Sequence, residues 1–236
     1  RKVMKFIISL VCLLGSIQLI ASENNVYDFS WLDQDKEVYV LQNRKFRKNK
    51  KVYLGLLAGS QINGAFIDSN EFSAHGGFFF KEEWGVELFY TSASGSTNNT
   101  HDGVNEQGTQ AFYRKVDTSM GAMLLWAPFY AKINTFNKIF YYDWMFGAGA
   151  ANVSTLDNRQ EFGTASSSDL TSETVLSPTW MTNFRFYITQ NWSAEMRFEG
   201  LHINADVARQ DSSKDERTEK SWTHYYDFKL GLNYTF

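Results

Sequence analysis

From Trp222 to Phe236 the chain alternates without a break. Trp222, His224, Tyr226, Phe228, Leu230, Leu232, Tyr234 and Phe236 fall on one side of an extended strand, and Thr223, Tyr225, Asp227, Lys229, Gly231, Asn233 and Thr235 on the other. Side chains of a strand point to opposite faces in turn, so this run builds a wall that is apolar on one side and polar on the other. The run is far longer than the roughly five or six residues of an ordinary globular strand. It suits a tilted strand that crosses a hydrocarbon layer with its polar face turned to a closed interior.

Seven further segments carry the same period. Lys51 to Gln61 puts Val52, Leu54, Leu56 and Ala58 on one face, followed by Phe72, Ala74, Gly76, Phe78 and Phe80, and then by Trp84, Val86, Leu88 and Tyr90. A fourth run ends near Trp126 with Met120, Ala122 and Leu124 in phase, and the fifth spans Ile139 to Val153. The sixth covers Thr174 to Ile188; its Pro178 lacks a ladder donor and is expected at a rim or a bulge. Trp192, Ala194, Met196 and Phe198 mark the seventh, and the C-terminal run is the eighth. Connections are short at Lys81 to Glu83 and Thr189 to Asn191, with a longer one at Phe129 to Lys138. They are long and polar at Ile62 to Asn70, Ser92 to Gly108, Ser154 to Ser172 and Ala205 to Lys220. That alternation predicts an all-β fold, a transmembrane antiparallel up-and-down β-barrel of about eight strands in the bacterial outer membrane, with periplasmic turns and outer loops.

The N-terminal end points to the same compartment. Lys5 precedes the apolar run Phe6 to Ile20 and the small residues Ala21 and Ser22, which reads as a signal peptide over 1–22, with Met4 as its natural start. Residues 23–50 are then a periplasmic segment and 51–236 the barrel. The one cysteine, Cys12, lies in the leader in a poor lipoprotein context, so thiol chemistry is not expected. After Ser22 no run of about twenty apolar residues offers a helical span. The net charge of −3 gives no case for nucleic acid.

If the apolar faces meet lipid, then Glu87, Asp143, Arg185, Glu195, Arg197, Glu199, Asp227 and Lys229 point inward. Eight strands enclose an interior that side chains nearly fill, so these charges are expected to satisfy one another as a lumen network. A narrow polar conduit, and hence a small-solute porin, is the alternative. Catalysis at the rim on lipid or peptide is a second alternative, with His75, His101, His202 and His224 to draw on. No G-x-S-x-G elbow is present, and the histidines are scattered singly, so no enzyme, cofactor or metal is expected.

Before the first strand, Arg44, Lys45, Arg47, Lys48 and Lys50 are placed to meet phospholipid phosphates or an acidic partner at the periplasmic face, and Trp31 to dock on the barrel base or a neighbouring subunit. The block Trp31-Leu32-Asp33-Gln34-Asp35-Lys36-Glu37-Val38-Tyr39-Val40-Leu41-Gln42-Asn43-Arg44-Lys45-Phe46-Arg47-Lys48 resembles the N-terminal motif of outer-membrane β-barrel-domain proteins of Bdellovibrio, myxobacteria and related predatory or gliding bacteria. So do Glu82 to Glu87, Phe112 to Lys115, and Lys132 to Lys138 with Tyr141 to Trp144. The resemblance implies a barrel without an assigned biochemical role, some similar barrels belonging to surface gliding complexes. The terminal Tyr234-Thr235-Phe236 likewise resembles the assembly signal read by the outer-membrane barrel assembly machinery. Together these readings predict a non-enzymatic structural or interaction protein among outer-membrane lipid and lipopolysaccharide, as a homo-oligomer or in an envelope complex.

Overall fold

The computed structural model describes residues 44–135, 138–162, 169–208 and 218–236. Eight antiparallel strands close in sequence order: β1 (Lys51–Gln61), β2 (Ile67–Phe79), β3 (Trp84–Thr97), β4 (Arg114–Thr135), β5 (Lys138–Asp157), β6 (Thr171–Tyr187), β7 (Trp192–Ala208) and β8 (Thr218–Thr235). One helix, α1 (Asn99–Glu106), follows β3, and a 3-10 turn, Arg159–Phe162, follows β5. Closure comes from β1 pairing with β8 over Tyr53↔Thr235 to Gln61↔Asp227.

The registers fix the barrel's geometry. A path of directly paired residues runs from Tyr53 through Gly77, Glu87, Met123, Gly149, Thr179, Leu201 and Tyr225. It returns to β1 at position 63, a stagger of ten residues from its start. Ten residues of stagger over eight strands tilts the strands by about 40° to the axis and leaves an interior only wide enough for side chains.

The outward and inward faces separate as the alternation predicts. Leu88 is 68% exposed while its neighbour Glu87 is 0%, and Leu230 is 55% exposed beside Lys229 at 1%. Phe72, Met120 and Leu54 are also more than half exposed on the outer face. Each such side chain loses about 1.5–3 kcal/mol if left in water. Soluble monomers rarely leave so broad a continuous apolar band uncovered, so the outer face fits a hydrocarbon surrounding. Aromatic side chains collect at the turn end, where Trp84 and Trp126 stack at 6.2 Å, Phe129 and Trp144 at 5.4 Å, and Trp192 packs edge-on against Tyr234 at 5.1 Å.

Several boundaries differ from the sequence reading. The segment Phe129 to Lys138 is not a connection. After a bulge between Trp126 and Phe129, β4 continues to Thr135 and pairs with β5 down to Thr135↔Lys138, so this hairpin stands below the other turns. The bulge moves the outward position from even to odd numbers, which hides the continuation from a period-two search. Strands also run on into segments expected as outer loops: β2 begins at Ile67, β3 reaches Thr97, β5 Asp157, and β7 Ala208. Pro178 sits inside β6 opposite Ala150, but it immediately precedes Thr179, where the β6–β7 ladder ends at Thr179↔Leu201. Its missing N–H therefore falls where no β7 partner is waiting. The first strand begins at Lys51, and Arg44–Lys50 belongs to the same compact unit.

Candidate functional site

Glu87, Asp143, Arg185, Glu195, Arg197, Glu199, Asp227 and Lys229 are all buried. Arg197 is the hub. Its guanidinium grips Glu87 in bidentate fashion at 2.8 and 2.9 Å, donates from Nε to Glu195 at 2.7 Å, and reaches Glu199 at 3.1 Å. Glu195 also accepts from Arg185, Asn183 and Asn233 at 3.1, 2.6 and 2.6 Å. Lys229 bridges Glu199 and Glu71 at 2.6 and 2.8 Å, with Asp227 beside them. Tyr53 donates to Glu87 at 2.5 Å, and His75 meets the Asn233 side chain at 2.7 Å.

The arrangement follows from the fold. Residues two apart on β7 share the inner face, so Glu195, Arg197 and Glu199 form a vertical acid–base–acid row. The strand tilt then brings β3, β6 and β8 against it. Buried charges persist only when partnered, and here each base contacts at least one carboxylate. Tyr53 and Glu71 were not singled out in the sequence; their inward phase on the strands was the available signal.

At the turn end the chain itself closes the mouth. Lys50 adopts a left-handed conformation (φ 58°), which folds Arg44–Asn49 back over the strand ends. Phe46 stacks on Tyr187 (4.5 Å, 3° between planes) and meets Tyr141 edge-on at 5.4 Å. Lys48 inserts into the lumen, its Nζ 2.6 Å from Asp143, which also accepts a hydrogen bond from Tyr187. The backbone N–H groups of Lys48 and Asn49 donate to Glu82, each at 3.1 Å. Burial pushes the Lys48 ammonium below its usual range, opposed by the Asp143 carboxylate.

The expectation that Lys48 meets headgroups is therefore corrected: it is an internal ion-pair partner. Arg44 is likewise engaged, by Glu82 at 3.7 Å and Glu83 at 3.9 Å. Lys45, Arg47 and Lys50 remain exposed at the mouth. Trp31 lies outside the described residues. Tyr234 and Phe236 face outward and pack edge-on at 5.0 Å, at the turn end of the wall.

The histidines are not all single. Register places His202 directly opposite His224, with their Nδ1 atoms 2.8 Å apart, and Trp180 donates to His202 Nε2 at 3.0 Å. Because indole can only donate, His202 carries its proton on Nδ1 and passes a hydrogen bond to His224. The partners of this pair are Trp180 and each other, on the outer face. His101 lies on α1, 3.2 Å from Asp102. Among the described residues no group of three His, Cys, Asp or Glu side chains gathers to hold a metal ion.

At the loop end, Arg159 joins three segments by pairing with Asp157 (2.7 Å), Glu173 and Asp206 (3.4 Å). Arg114 contacts Asp157 and the Asp206 carbonyl. The Asp157 carboxylate and then Glu173 raise the Arg159 guanidinium above its usual range, against the opposing effect of burial.

An apolar outer girdle around a charged, filled interior defines a transmembrane β-barrel of the bacterial outer-membrane type. Solved structures similar to this chain include Neisserial surface protein A (12% identity, TM-score 0.48, covering 80% of this chain and 98% of that one). The outer membrane protein OprG from Pseudomonas aeruginosa (12%, 0.47, 81% and 98%) and the N-terminal β-barrel domain of Pseudomonas aeruginosa OprF (10%, 0.42, 80% and 98%) are similar as well. No protein-family model matches the chain, and no curated protein matches its sequence.

Proposed function

We propose that this barrel acts without catalysis, as a closed anchor that holds a surface structure outside the membrane and a basic contact surface on the periplasmic side. The observation that carries the reading is the double seal. The lumen is packed with paired side chains such as Arg185, Arg197 and Glu87, each at most 2% exposed, and Phe46 and Lys48 close the mouth below. A porin requires continuous water along that axis. The likeness of the Trp31 to Lys48 block to barrel proteins of predatory and gliding bacteria supports membership in an envelope complex or a homo-oligomer.

Planar-bilayer recording tests the reading: the wild-type protein gives no steady channels. Stable conductance that changes with Arg197→Gln or Glu199→Gln makes it a porin instead. Rim catalysis predicts lipid or surface-peptide changes in cells that vanish with His202→Ala, and no such changes are expected here.

A further inference from the structure

The charge at the turn end is one-sided. Among the described residues, Arg44 to Lys51 contributes six Lys and Arg side chains, and Lys81, Lys132 and Lys138 add three more, against Glu82, Glu83 and Asp143. Within this end lies a pocket of about 260 Å³ whose lining, among the described residues, includes Lys45, Arg47, Lys48, Lys51 and Arg185 but no carboxylate. Phe46, Tyr53, Phe79 and Tyr187 supply its apolar wall.

Lys48 is neutralised by Asp143. Among the described residues Arg47 and Lys51 form no ion pair, and Lys45 is held only over the rings of Phe46 and Tyr141, at 5.5 and 5.4 Å. Arg185 is 2% exposed with one nitrogen committed to Glu195, while its Nε is buried without a hydrogen-bond partner and its guanidinium lies 4.1 Å over Tyr53. A buried unpartnered N–H beside three unpaired cations is costly unless an acceptor with several oxygens completes it.

We infer that this pocket binds a phosphate group, seated between Lys45, Arg47 and Lys51 with Arg185 at its base. A carboxylate offers two oxygens to these donors and the Gln190 amide, whereas a phosphate offers three or four. The volume also admits a short organic stem against the aromatic wall. A phospholipid headgroup of the inner leaflet and a soluble phosphate ester both carry this chemistry.

The test uses the full chain in neutral detergent, with phosphatidylglycerol titrated by native mass spectrometry and inorganic phosphate added as competitor. The wild-type protein retains one phosphatidylglycerol. Lys45→Gln/Arg47→Gln/Lys51→Gln weakens retention tenfold or more, whereas Lys81→Gln/Lys132→Gln/Lys138→Gln, with the same loss of charge outside the pocket, leaves it unchanged. Displacement by millimolar phosphate identifies the phosphate as the recognised part. Binding of inorganic phosphate, seen by calorimetry, without retained lipid supports the site and assigns it to soluble esters. Equal retention by wild type and the pocket triple overturns the inference, and so does equal loss in both triples. Heat-modified gel migration confirms that each triple is folded, and Arg47→Gln alone, expected to weaken retention about threefold, repeats the test with the smallest change.

Discussion

Replacing Arg197 with methionine tests the claim that the lumen is an electrostatic unit. The change keeps most of the side-chain stem but removes five donors shared among Glu87, Glu195 and Glu199. Glu195 retains Arg185 and Glu199 retains Lys229, so those two keep a cation. Glu87 keeps only the Tyr53 hydroxyl. Breaking a buried pair on one side costs about 3–5 kcal/mol, because the remaining charge stays desolvated and uncompensated. The loss is expected in that range and concentrated on Glu87. Arg197→Met/Glu87→Gln, which removes the stranded charge, should recover most of it, and Glu87→Gln alone should cost only about 1–2 kcal/mol. Urea unfolding of the reconstituted barrel, followed by tryptophan fluorescence and gel mobility, supplies the free energies. A loss below about 1 kcal/mol for Arg197→Met, or a double variant no more stable than that single variant, would refute the assignment of Arg197 as hub.

Other perturbations probe other parts of the molecule. Phe46→Ala should cost about 2–3 kcal/mol in the same assay by removing the ring stacked on Tyr187; an unchanged midpoint would mean that the mouth is not held by this contact. Because Lys48 is held below its ordinary value of 10.5, the unfolded chain binds more protons than the folded one between the two values. Wild-type stability should therefore rise with pH across the window below 10.5 relative to Lys48→Met, and a parallel pH profile for the two would contradict the burial. An ideal Cβ on Gly200 would lie 2.4 Å from the Trp180 indole, so Gly200→Val should displace that ring from His202, read as a changed near-ultraviolet dichroism signal. Arg159→Ala should speed amide exchange around Asp157 and Glu173 at least tenfold while leaving the Arg197 region protected; equal protection would show that the clasp does not hold these strands.

The eight spanning runs and both faces were legible because the surrounding lipid enforces a strict two-residue period, as from Leu54 to Ala58 and from Phe228 to Leu232. What was not legible lies where that constraint ends. Beyond the outer boundary the ladder continues in water, so Ala205 and Val207 pair with Ser221 and Glu219 without an apolar face to announce it. Helix α1 has Val104 as its one apolar side chain and rests on its Asn98 cap, whose side chain accepts from the N–H groups of Thr100 and His101. The His202–His224 pair depends on register between β7 and β8, which spacing along one strand does not encode. Lys48 sat in a run of basic residues that gave no hint which member would turn inward; the left-handed turn at Lys50 decides it.

The continuation of β7 and β8 past the histidine pair, to Ala208↔Thr218, amounts to six further residues on each strand. At about 3.3 Å per residue that is a rise of about 20 Å along the strands. Ala208 and Thr218 are therefore joined to the barrel by a continuous ladder rather than by slack chain. The ladder therefore carries the barrel's stiffness about six residues past the histidine pair, so the directions in which β7 and β8 leave the membrane-facing girdle are set by strand pairing.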